Sequence, residues 1–188
     1  MEKVENLQTA VLAGGCFWCT EAVFQRLEGV KNVLSGYTGG TIKNPAYREI
    51  TTGRTGHAEA IQIQFDSDVI TFKELLEVFF YTHNPTTLNQ QGADKGTQYR
   101  SAIFYVDNSQ KEIAEELIKK LNDDEIFNGQ IVTEVTELGP FYIAEKEHHD
   151  YYNRHETQRY CQLVIDPKLA TLNNTFKSKL KKEVKNVN

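Results

Sequence analysis

Two consecutive glycines near the start of the chain constrain the fold most, because they join two segments of different periodicity. Residues 9–13 form a short apolar run typical of a β-strand, and residues 21–27 carry apolar side chains at helical spacing. Gly14 and Gly15 permit a sharp turn between these segments without a clash of a Cβ atom. The sequence therefore predicts a strand that leads directly into a helix, with Cys16 at the first turn of that helix.

Cys16 is the first candidate for chemistry. The free N–H groups and the positive dipole end at a helix start favour an anion, which for a cysteine is the nucleophilic thiolate. A single cysteine is more often a buried packing residue. Here, however, Cys19 completes a Cys-x-x-Cys pair, and Phe17 and Trp18 place two large aromatic rings beside the sulfur. This grouping indicates a reactive site rather than core packing alone.

Composition and charge narrow the class of protein. The chain has 188 residues and a net charge of -5, so we expect a single domain and no nucleic-acid partner. No basic segment followed by an apolar run is present at the N-terminus, so we expect neither a signal peptide nor a membrane span. Three cysteines argue against a disulfide framework and favour a cytoplasmic protein that uses its thiols. We predict one domain over residues 1–188, with a core at about 9–165 and a basic tail at 166–188 that forms a solvated helix or a frayed end.

The order of the predicted elements indicates the fold class. Apolar periodicity and two capping boxes, which begin at Thr71 and Ser109, predict strands at 9–13, 29–37, 57–65, 99–106 and 130–138, with helices after residues 20, 71 and 109. The first six elements have the order of a split βαβ unit. We therefore predict an α+β fold with a ferredoxin-like split βαβ core, a mixed sheet and a long coil-rich C-terminal segment.

Glu59 lies at the start of the third predicted strand. Ile61, Ile63 and Phe65 alternate with glutamines, and Glu59 has the same parity as these three apolar residues. On the buried face, the carboxyl group would lose water, its pKa would rise, and it could hold a proton near neutral pH. Twist at the end of the strand would instead expose it, and the pattern leaves both possibilities open.

Residues 141–155 concentrate aromatic, acidic and imidazole groups. A helix there would place Glu145, His149 and Tyr152 on one face. A closed zinc site would need the three cysteines and one histidine to converge, but a second Cys-x-x-Cys motif is missing. We therefore predict no metal.

Six motifs occur in one order that is shared with a known family. They are Gly-Cys-Phe-Trp at 15–18, Gly-Tyr-x-Gly-Gly at 36–40, Asn-Pro-Ala-Tyr at 44–47, Gly-His-Ala-Glu at 56–59, Asp-Lys-Gly-Thr-Gln-Tyr-Arg-Ser at 94–101, and Phe-Tyr-x-Ala-Glu at 141–145 with a histidine at 149. Over about residues 10–165 the chain resembles the type A peptide methionine sulfoxide reductases. The resemblance implies repair of oxidised proteins by reduction of the S epimer of methionine sulfoxide, free or in proteins, without a cofactor.

The resemblance also implies roles for particular residues. They are the nucleophile Cys16, the pocket residues Phe17 and Trp18 for the substrate's S-methyl group, the proton donor Glu59, its helpers Tyr47, Tyr99 and Asp94, and His149 near the site. A sulfoxide oxygen leaves only when protonated, so an acid opposite the attacking sulfur agrees with this set. A monomer is expected.

A second thiol must then convert the sulfenic acid of Cys16 into a disulfide, which thioredoxin reduces in the family. The resemblance ranks Cys161 first as this resolving cysteine, with Cys19, one helical turn from Cys16, as the alternative. Two features depart from the family pattern. Ala93 replaces an expected asparagine, and a strand-like run at 162–165 would hold Cys161 still.

The residues alone are also compatible with two other classes of protein. A general thiol-disulfide oxidoreductase would use the Cys16 and Cys19 pair alone. A zinc-stabilised interaction module would lose its folded structure when the metal is chelated.

Overall fold

A six-stranded sheet forms the centre of the protein, whose computed structural model describes residues 6–182. Within these residues the strands are β1 (Leu7–Gly14), β2 (Val30–Thr38), β3 (Ala58–Asp66), β4 (Gln90–Gln91), β5 (Asp94–Lys95), β6 (Ser101–Tyr105), β7 (Glu134–Glu137) and β8 (Tyr142–Ile143). The large sheet has the order β7-β6-β1-β3-β2-β8, and β4 pairs with β5 in a separate hairpin. All pairings in the large sheet are antiparallel except β6 with β7, so the sheet is mixed, as predicted.

The first three strands have the connectivity of a split βαβ unit. β1 and β2 both pair antiparallel with β3, which lies between them, so β1 and β2 run in the same direction. The connection from β1 to β2 contains the helix α1 (Phe17–Phe24). This geometry places the start of α1 at the end of β1, close to the beginning of β3.

Alternation along the strands divides the buried residues between the two faces of the sheet. The larger core includes Leu12, Ile61 and Ile63 together with residues of α1 and of the later helices. The smaller core lies on the opposite face and consists largely of alanines and Phe104. A β-strand points successive side chains to opposite faces, so Glu59 points toward the larger, helix-covered core.

The remaining helices are α2 (Tyr47–Ile50), α3 (Phe72–Thr82), α4 (Asn108–Asp123), α5 (Tyr151–Arg154) and α6 (Asp166–Thr175). The predicted capping box of α3 is confirmed, because Thr71 accepts from the N–H of Glu74 and its own N–H donates to the Glu74 carboxylate. The predicted box at Ser109 is wrong. Asp107 caps α4 by accepting from the N–H of Gln110 at 2.9 Å, so the helix begins at Asn108.

The C-terminal segment differs most from the prediction. Instead of coil, the chain after β8 forms a 3₁₀ turn, α5, a π-helical turn at Cys161–Ile165 and then α6. Leu169, Leu172 and Phe176 are buried, and Leu180 pairs with Leu27 in an isolated bridge. The described part of the predicted tail therefore packs its apolar side against the core, because its apolar residues recur at helical spacing, and most of its other residues are exposed. Residues 183–188 lie outside the described residues.

None of the helices between residues 6 and 182 has both the length and the apolar character needed to cross a lipid bilayer.

Candidate active site

Cys16 lies at the turn between β1 and α1, where the sequence predicts it. Gly15 has a φ of +93°, which favours glycine, and a Cβ on Gly14 would come within 2.9 Å of the Phe79 ring. Cys16 is the residue that precedes α1, and its carbonyl accepts from the N–H of Cys19 at 3.0 Å. The Cys16 side chain is buried beneath the surrounding aromatic residues.

The surroundings of the Cys16 sulfur oppose the thiolate form that its place at a helix start favours. Burial raises its pKa, and a hydrogen bond to Cys19 and the nearby Glu59 carboxyl raise it further, against an opposing hydrogen bond from the backbone of Trp18. The N–H of Phe17, one of the free donors of α1, donates to Oε2 of Glu59 at 3.1 Å. This N–H group at the start of α1 therefore donates to the Glu59 carboxyl group and not to the Cys16 sulfur.

The surroundings of Cys19 lower the pKa of its thiol. Its hydrogen bond with Cys16 lowers its pKa most, Lys168 lowers it too, and burial opposes both. The Tyr160 hydroxyl lies 3.8 Å from the Cys19 sulfur and donates to Oδ2 of Asp94 at 2.9 Å. A chain of contacts therefore leads from Cys16 through Cys19 and Tyr160 to Asp94.

Glu59 is buried on the core face of β3, with 1% of its surface exposed. Burial raises its pKa to about 8, the nearby Asp94 raises it as well, and the hydrogen bond from the Phe17 N–H opposes the rise. Of the two possibilities that the sequence left open, Glu59 therefore lies on the buried face of the strand and is not exposed by twist at the strand end. At neutral pH Glu59 is mostly protonated and can donate a proton.

Two tyrosines predicted for the site stay protonated near Glu59. Burial raises the pKa of Tyr47 to about 12 and also raises that of Tyr99, and the proximity of Glu59 is the second cause in both. Tyr47 begins α2, where its backbone N–H donates to Oε1 of Glu145 at 2.8 Å. Both phenols can therefore act as hydrogen-bond donors at neutral pH.

Aromatic rings form one wall around Cys16. Trp18 stacks on Tyr151 with ring centroids 3.7 Å apart, and its indole N–H donates to Nδ1 of His148 at 3.2 Å. The His148 ring in turn lies 4.3 Å from the ring of Tyr47 and 5.5 Å from that of Phe17. Burial lowers the pKa of His148, which agrees with a neutral imidazole whose Nδ1 accepts.

His149, which the sequence places at the site, does not join these rings. Its Nε2 bonds the carbonyl of Ala144 at 2.8 Å, and its neighbour His148 contacts the aromatic wall. The helix predicted over 141–155 is interrupted because Asp150 has a left-handed φ of +53°. The face that would join Glu145, His149 and Tyr152 is therefore not formed; Glu145 accepts from Tyr37, and Tyr152 donates to Asp166.

A cavity of about 290 Å³ opens beside the two neighbouring cysteines. It is lined by the residues Gly14, Cys16, Cys19, Gln91, Gly92, Ala93, Asp94, Tyr160, Leu163, Val164 and Lys168. Ala93 is part of this lining, and no special effect of its small side chain follows from the geometry. Tyr160 and Lys168 come from the C-terminal segment and, with His148 and Tyr151, are site residues that the sequence analysis missed.

Cys161 is fully buried and lies outside the described lining of this cavity. The strand expected after it is wrong, because residues Cys161–Ile165 form a π-helical turn that continues into α6. Pro167 lies in the first turn of α6, a position that suits its fixed φ and its missing N–H. All three cysteines are free thiols.

Between residues 6 and 182, no group of three or more histidine, cysteine or acidic side chains could hold a metal ion. The zinc-stabilised alternative has no ligand set in this part of the chain.

The whole of this site falls within a match to one protein family. The model of the family described as peptide methionine sulfoxide reductase matches residues 8–180. A relative from Rhodopirellula baltica, named peptide methionine sulfoxide reductase MsrA 1, is 52% identical over 174 residues, which cover 93% of this chain and 90% of the relative. An MsrA from Sulfolobus acidocaldarius is 51% identical over 173 residues, which cover 92% and 97%.

Solved structures agree with the sequence relatives. Mxr1 from Saccharomyces cerevisiae in its reduced form has a TM-score of 0.75 at 30% identity, and the match covers 82% of this chain and 89% of Mxr1. Methionine sulfoxide reductase A of Corynebacterium diphtheriae has a TM-score of 0.73 at 34% identity, with 84% and 78% covered. Because the shared motifs, the fold and these matches span the same residues, the chain belongs to the peptide methionine sulfoxide reductase family, type A, and is an oxidoreductase.

Proposed function

We propose that Cys16 and Glu59 together reduce the S epimer of methionine sulfoxide, free or in proteins, and so repair oxidised proteins. The observation that carries this proposal is the hydrogen bond from the Phe17 N–H to Glu59, which fixes a carboxylic acid with a pKa of about 8 beside the Cys16 thiol. A nucleophile and a proton donor are thus held within one buried site.

In the first step the Cys16 sulfur attacks the sulfoxide sulfur while Glu59 protonates the oxygen. The proton that Cys16 loses balances the proton that Glu59 gives to the oxygen, so the step consumes no further acid. The substrate's sulfur–oxygen bond breaks as the oxygen passes to the Cys16 sulfur, and the bond between the two sulfurs breaks as well. Methionine then leaves, and Cys16 is a sulfenic acid. Tyr47 and Tyr99, both protonated, donate hydrogen bonds to the oxygen, and Asp94 acts at longer range.

Phe17 and Trp18 provide the apolar surface for the methyl group on the substrate's sulfur. We propose His148, and not His149, as the imidazole near the substrate, because His148 contacts Trp18, Phe17 and Tyr47. The stacking of Trp18 on Tyr151 supports a fixed position of the indole.

We propose Cys19 as the resolving cysteine, which reverses the order expected from the resemblance. Its place one helical turn from Cys16 and in the lining of the same cavity supports direct disulfide formation. Cys161 is fully buried in the π-helical turn and does not line the cavity that Cys16 and Cys19 share.

We further propose thioredoxin as the reductant that opens the disulfide, and the cytoplasm as the location of a monomeric enzyme. Yeast Mxr1 has been solved in complex with Trx2. A reducing compartment would return the cysteines to the free thiols of the present structure.

Single-turnover reduction of S and R methionine sulfoxide, with thiols counted before and after, tests this function. We expect wild type to convert only the S epimer and to lose two thiols. Cys16→Ser should form no methionine, and Glu59→Gln should be slower by about a hundredfold or more. The proposal is wrong if Cys16→Ser still reduces the substrate, or if Glu59→Gln matches wild type across neutral pH.

Cys19→Ser and Cys161→Ser form a matched pair for the second step. We expect Cys19→Ser to stop at the sulfenic acid and Cys161→Ser to form the disulfide. The opposite result would assign resolution to Cys161. If no sulfoxide reacts while Cys16 and Cys19 still cycle as a disulfide, the general oxidoreductase alternative is correct.

A further inference from the structure

Lys168 is a charged residue of the cavity that the reaction described above does not use. It lies in the first turns of α6, and its Nζ donates to the carbonyl of Thr82 at the end of α3 at 2.8 Å. Burial lowers its pKa, which the negative charges of Cys19, Cys16 and Asp94 partly offset. Keeping an ammonium group in this half-buried place costs free energy unless an anion compensates for it.

Cys19 is a thiol whose ionisation the positive charge of Lys168 favours. Both side chains line the same cavity, and Cys19 is the first of the charges that favour the protonated form of Lys168. The titratable groups that face Cys19 and Lys168 from the surrounding elements are Cys16, Glu59, Asp94, Tyr160, Cys161 and His83. Lys168 is the cation of this set.

Tyr160 alone does not stabilise a Cys19 thiolate. Its single hydroxyl proton is donated to Asp94 at 2.9 Å, and its contact with the Cys19 sulfur is the longer one, at 3.8 Å. Tyr160 therefore lowers the pKa of Cys19 less than the charge of Lys168 does. Lys168 is the positively charged residue in the lining of this cavity, and its charge lowers the pKa of Cys19.

We propose that Lys168 is a positioning residue for the second half of the reaction, because its ammonium group stabilises the Cys19 thiolate that attacks the sulfenic acid of Cys16. This inference rests on the proposed function and on Cys19 as the resolving cysteine. The same charge stabilises Cys19 as the leaving group when an external thiolate later attacks Cys16 in the disulfide.

The step balances without a further reactant. The Cys19 thiolate forms a bond to the Cys16 sulfur, the sulfur–oxygen bond of the sulfenic acid breaks, and the oxygen leaves as hydroxide, which takes up the proton lost by Cys19 and becomes water. Cys19 is oxidised and Cys16 is reduced, and together they form one disulfide.

The first test measures the ionisation of Cys19 directly. In a Cys16→Ser, Cys161→Ser background, Cys19 is the only thiol, and its rate of alkylation by iodoacetamide is followed against pH. We expect Lys168→Met to move the midpoint to higher pH and Lys168→Arg to leave it close to its starting value. Lys179→Met is the control, because Lys179 pairs with Glu74 away from the cavity. An unchanged midpoint in Lys168→Met would overturn the proposal.

The second test follows disulfide formation after one turnover in the otherwise unchanged enzyme. A rise of one unit in the pKa of Cys19 reduces its thiolate tenfold but makes each thiolate more nucleophilic, so disulfide formation should slow about threefold per unit at neutral pH. The deficit of Lys168→Met should vanish at a pH above the Cys19 midpoint. A deficit that is equal at every pH would indicate a purely structural role and refute the proposal.

The two proposals fail in different ways. If methionine is not formed at all, the proposed function is wrong. If methionine is formed and Cys19→Ser still yields a disulfide, resolution belongs to Cys161 and the role of Lys168 falls with that of Cys19. If Cys19 resolves and Lys168→Met forms the disulfide at the wild-type rate at neutral pH, the inference about Lys168 alone is wrong.

Discussion

Replacing Glu59 by glutamine should stabilise the protein while removing its proton donor. The carboxyl group is 1% exposed, and burial raises its pKa from 4.5 to about 8. The folded state therefore binds this proton more tightly than the unfolded state does. Below pH 4.5, Glu59 is protonated in both the folded and the unfolded state and does not lower the unfolding free energy. As the pH rises from 4.5 toward 8, the carboxyl group ionises in the unfolded state first, so the unfolding free energy of wild type falls relative to that of a variant with a neutral side chain.

The size of the effect follows from the shift of the pKa. Each pH unit between 4.5 and 8 adds about 1.4 kcal/mol to the difference in unfolding free energy between Glu59→Gln and wild type. The difference should reach about 3 kcal/mol at pH 7 and level off at about 5 kcal/mol above pH 8. The glutamine can still accept from the Phe17 N–H through its amide oxygen, so the hydrogen bond at the start of α1 is kept.

Urea unfolding of the reduced protein at pH 4.5, 6, 7 and 8.5 measures this difference. Glu112→Gln is the matched control, because its side chain lies in water on α4 and should leave the pH dependence as in wild type. A constant difference between Glu59→Gln and wild type across this range would refute the reasoning. So would a loss of stability in Glu59→Gln that grows with pH.

Three further predictions concern other parts of the structure. Gly40→Ala should lower the unfolding free energy by about 1–3 kcal/mol in urea, because a Cβ there would overlap backbone atoms of the facing turn. Tyr151→Leu should shift the fluorescence of Trp18, the single tryptophan, to longer wavelength, because the ring stacked on it at 3.7 Å is lost and water enters. Tyr37→Phe should cost about 1 kcal/mol by thermal or urea unfolding, since it removes a 2.7 Å hydrogen bond to the half-buried Glu145. An unchanged unfolding free energy in Gly40→Ala or Tyr37→Phe, or an unchanged emission wavelength in Tyr151→Leu, would contradict the corresponding prediction.

The features of the fold and the site that the sequence predicts correctly are determined by residues that are close together in the sequence. The Gly14 and Gly15 turn places Cys16 at the start of α1, and strand alternation brings Glu59 to the core face of β3. In these cases the periodicity of a few residues determines the direction of a side chain. The capping box at Thr71 is local in the same way.

The parts that the sequence did not predict depend on contacts between distant residues. Lys168 and Tyr160 meet Cys19 from more than a hundred residues away, and no periodicity reports such a contact. The choice between His148 and His149 depends on the left-handed backbone of Asp150, a conformation that few residues adopt and that no local pattern marked. The protonation of Cys16 also depended on burial by elements from both halves of the chain.

Because the active site joins the first helix to the C-terminal segment, it must be completed late in synthesis. The Trp18 contact with His148 spans 130 residues, and the contact between Cys19 and Tyr160 spans 141. A ribosome releases the N-terminal part first, so the nascent chain carries two cysteines that the C-terminal segment has not yet covered. We therefore expect a chain that stops before the 3₁₀ turn at Lys146–His148 to expose these thiols to oxidation and mispairing. Translation through the C-terminal segment is thus a condition for an enzyme that repairs oxidative damage without being damaged itself.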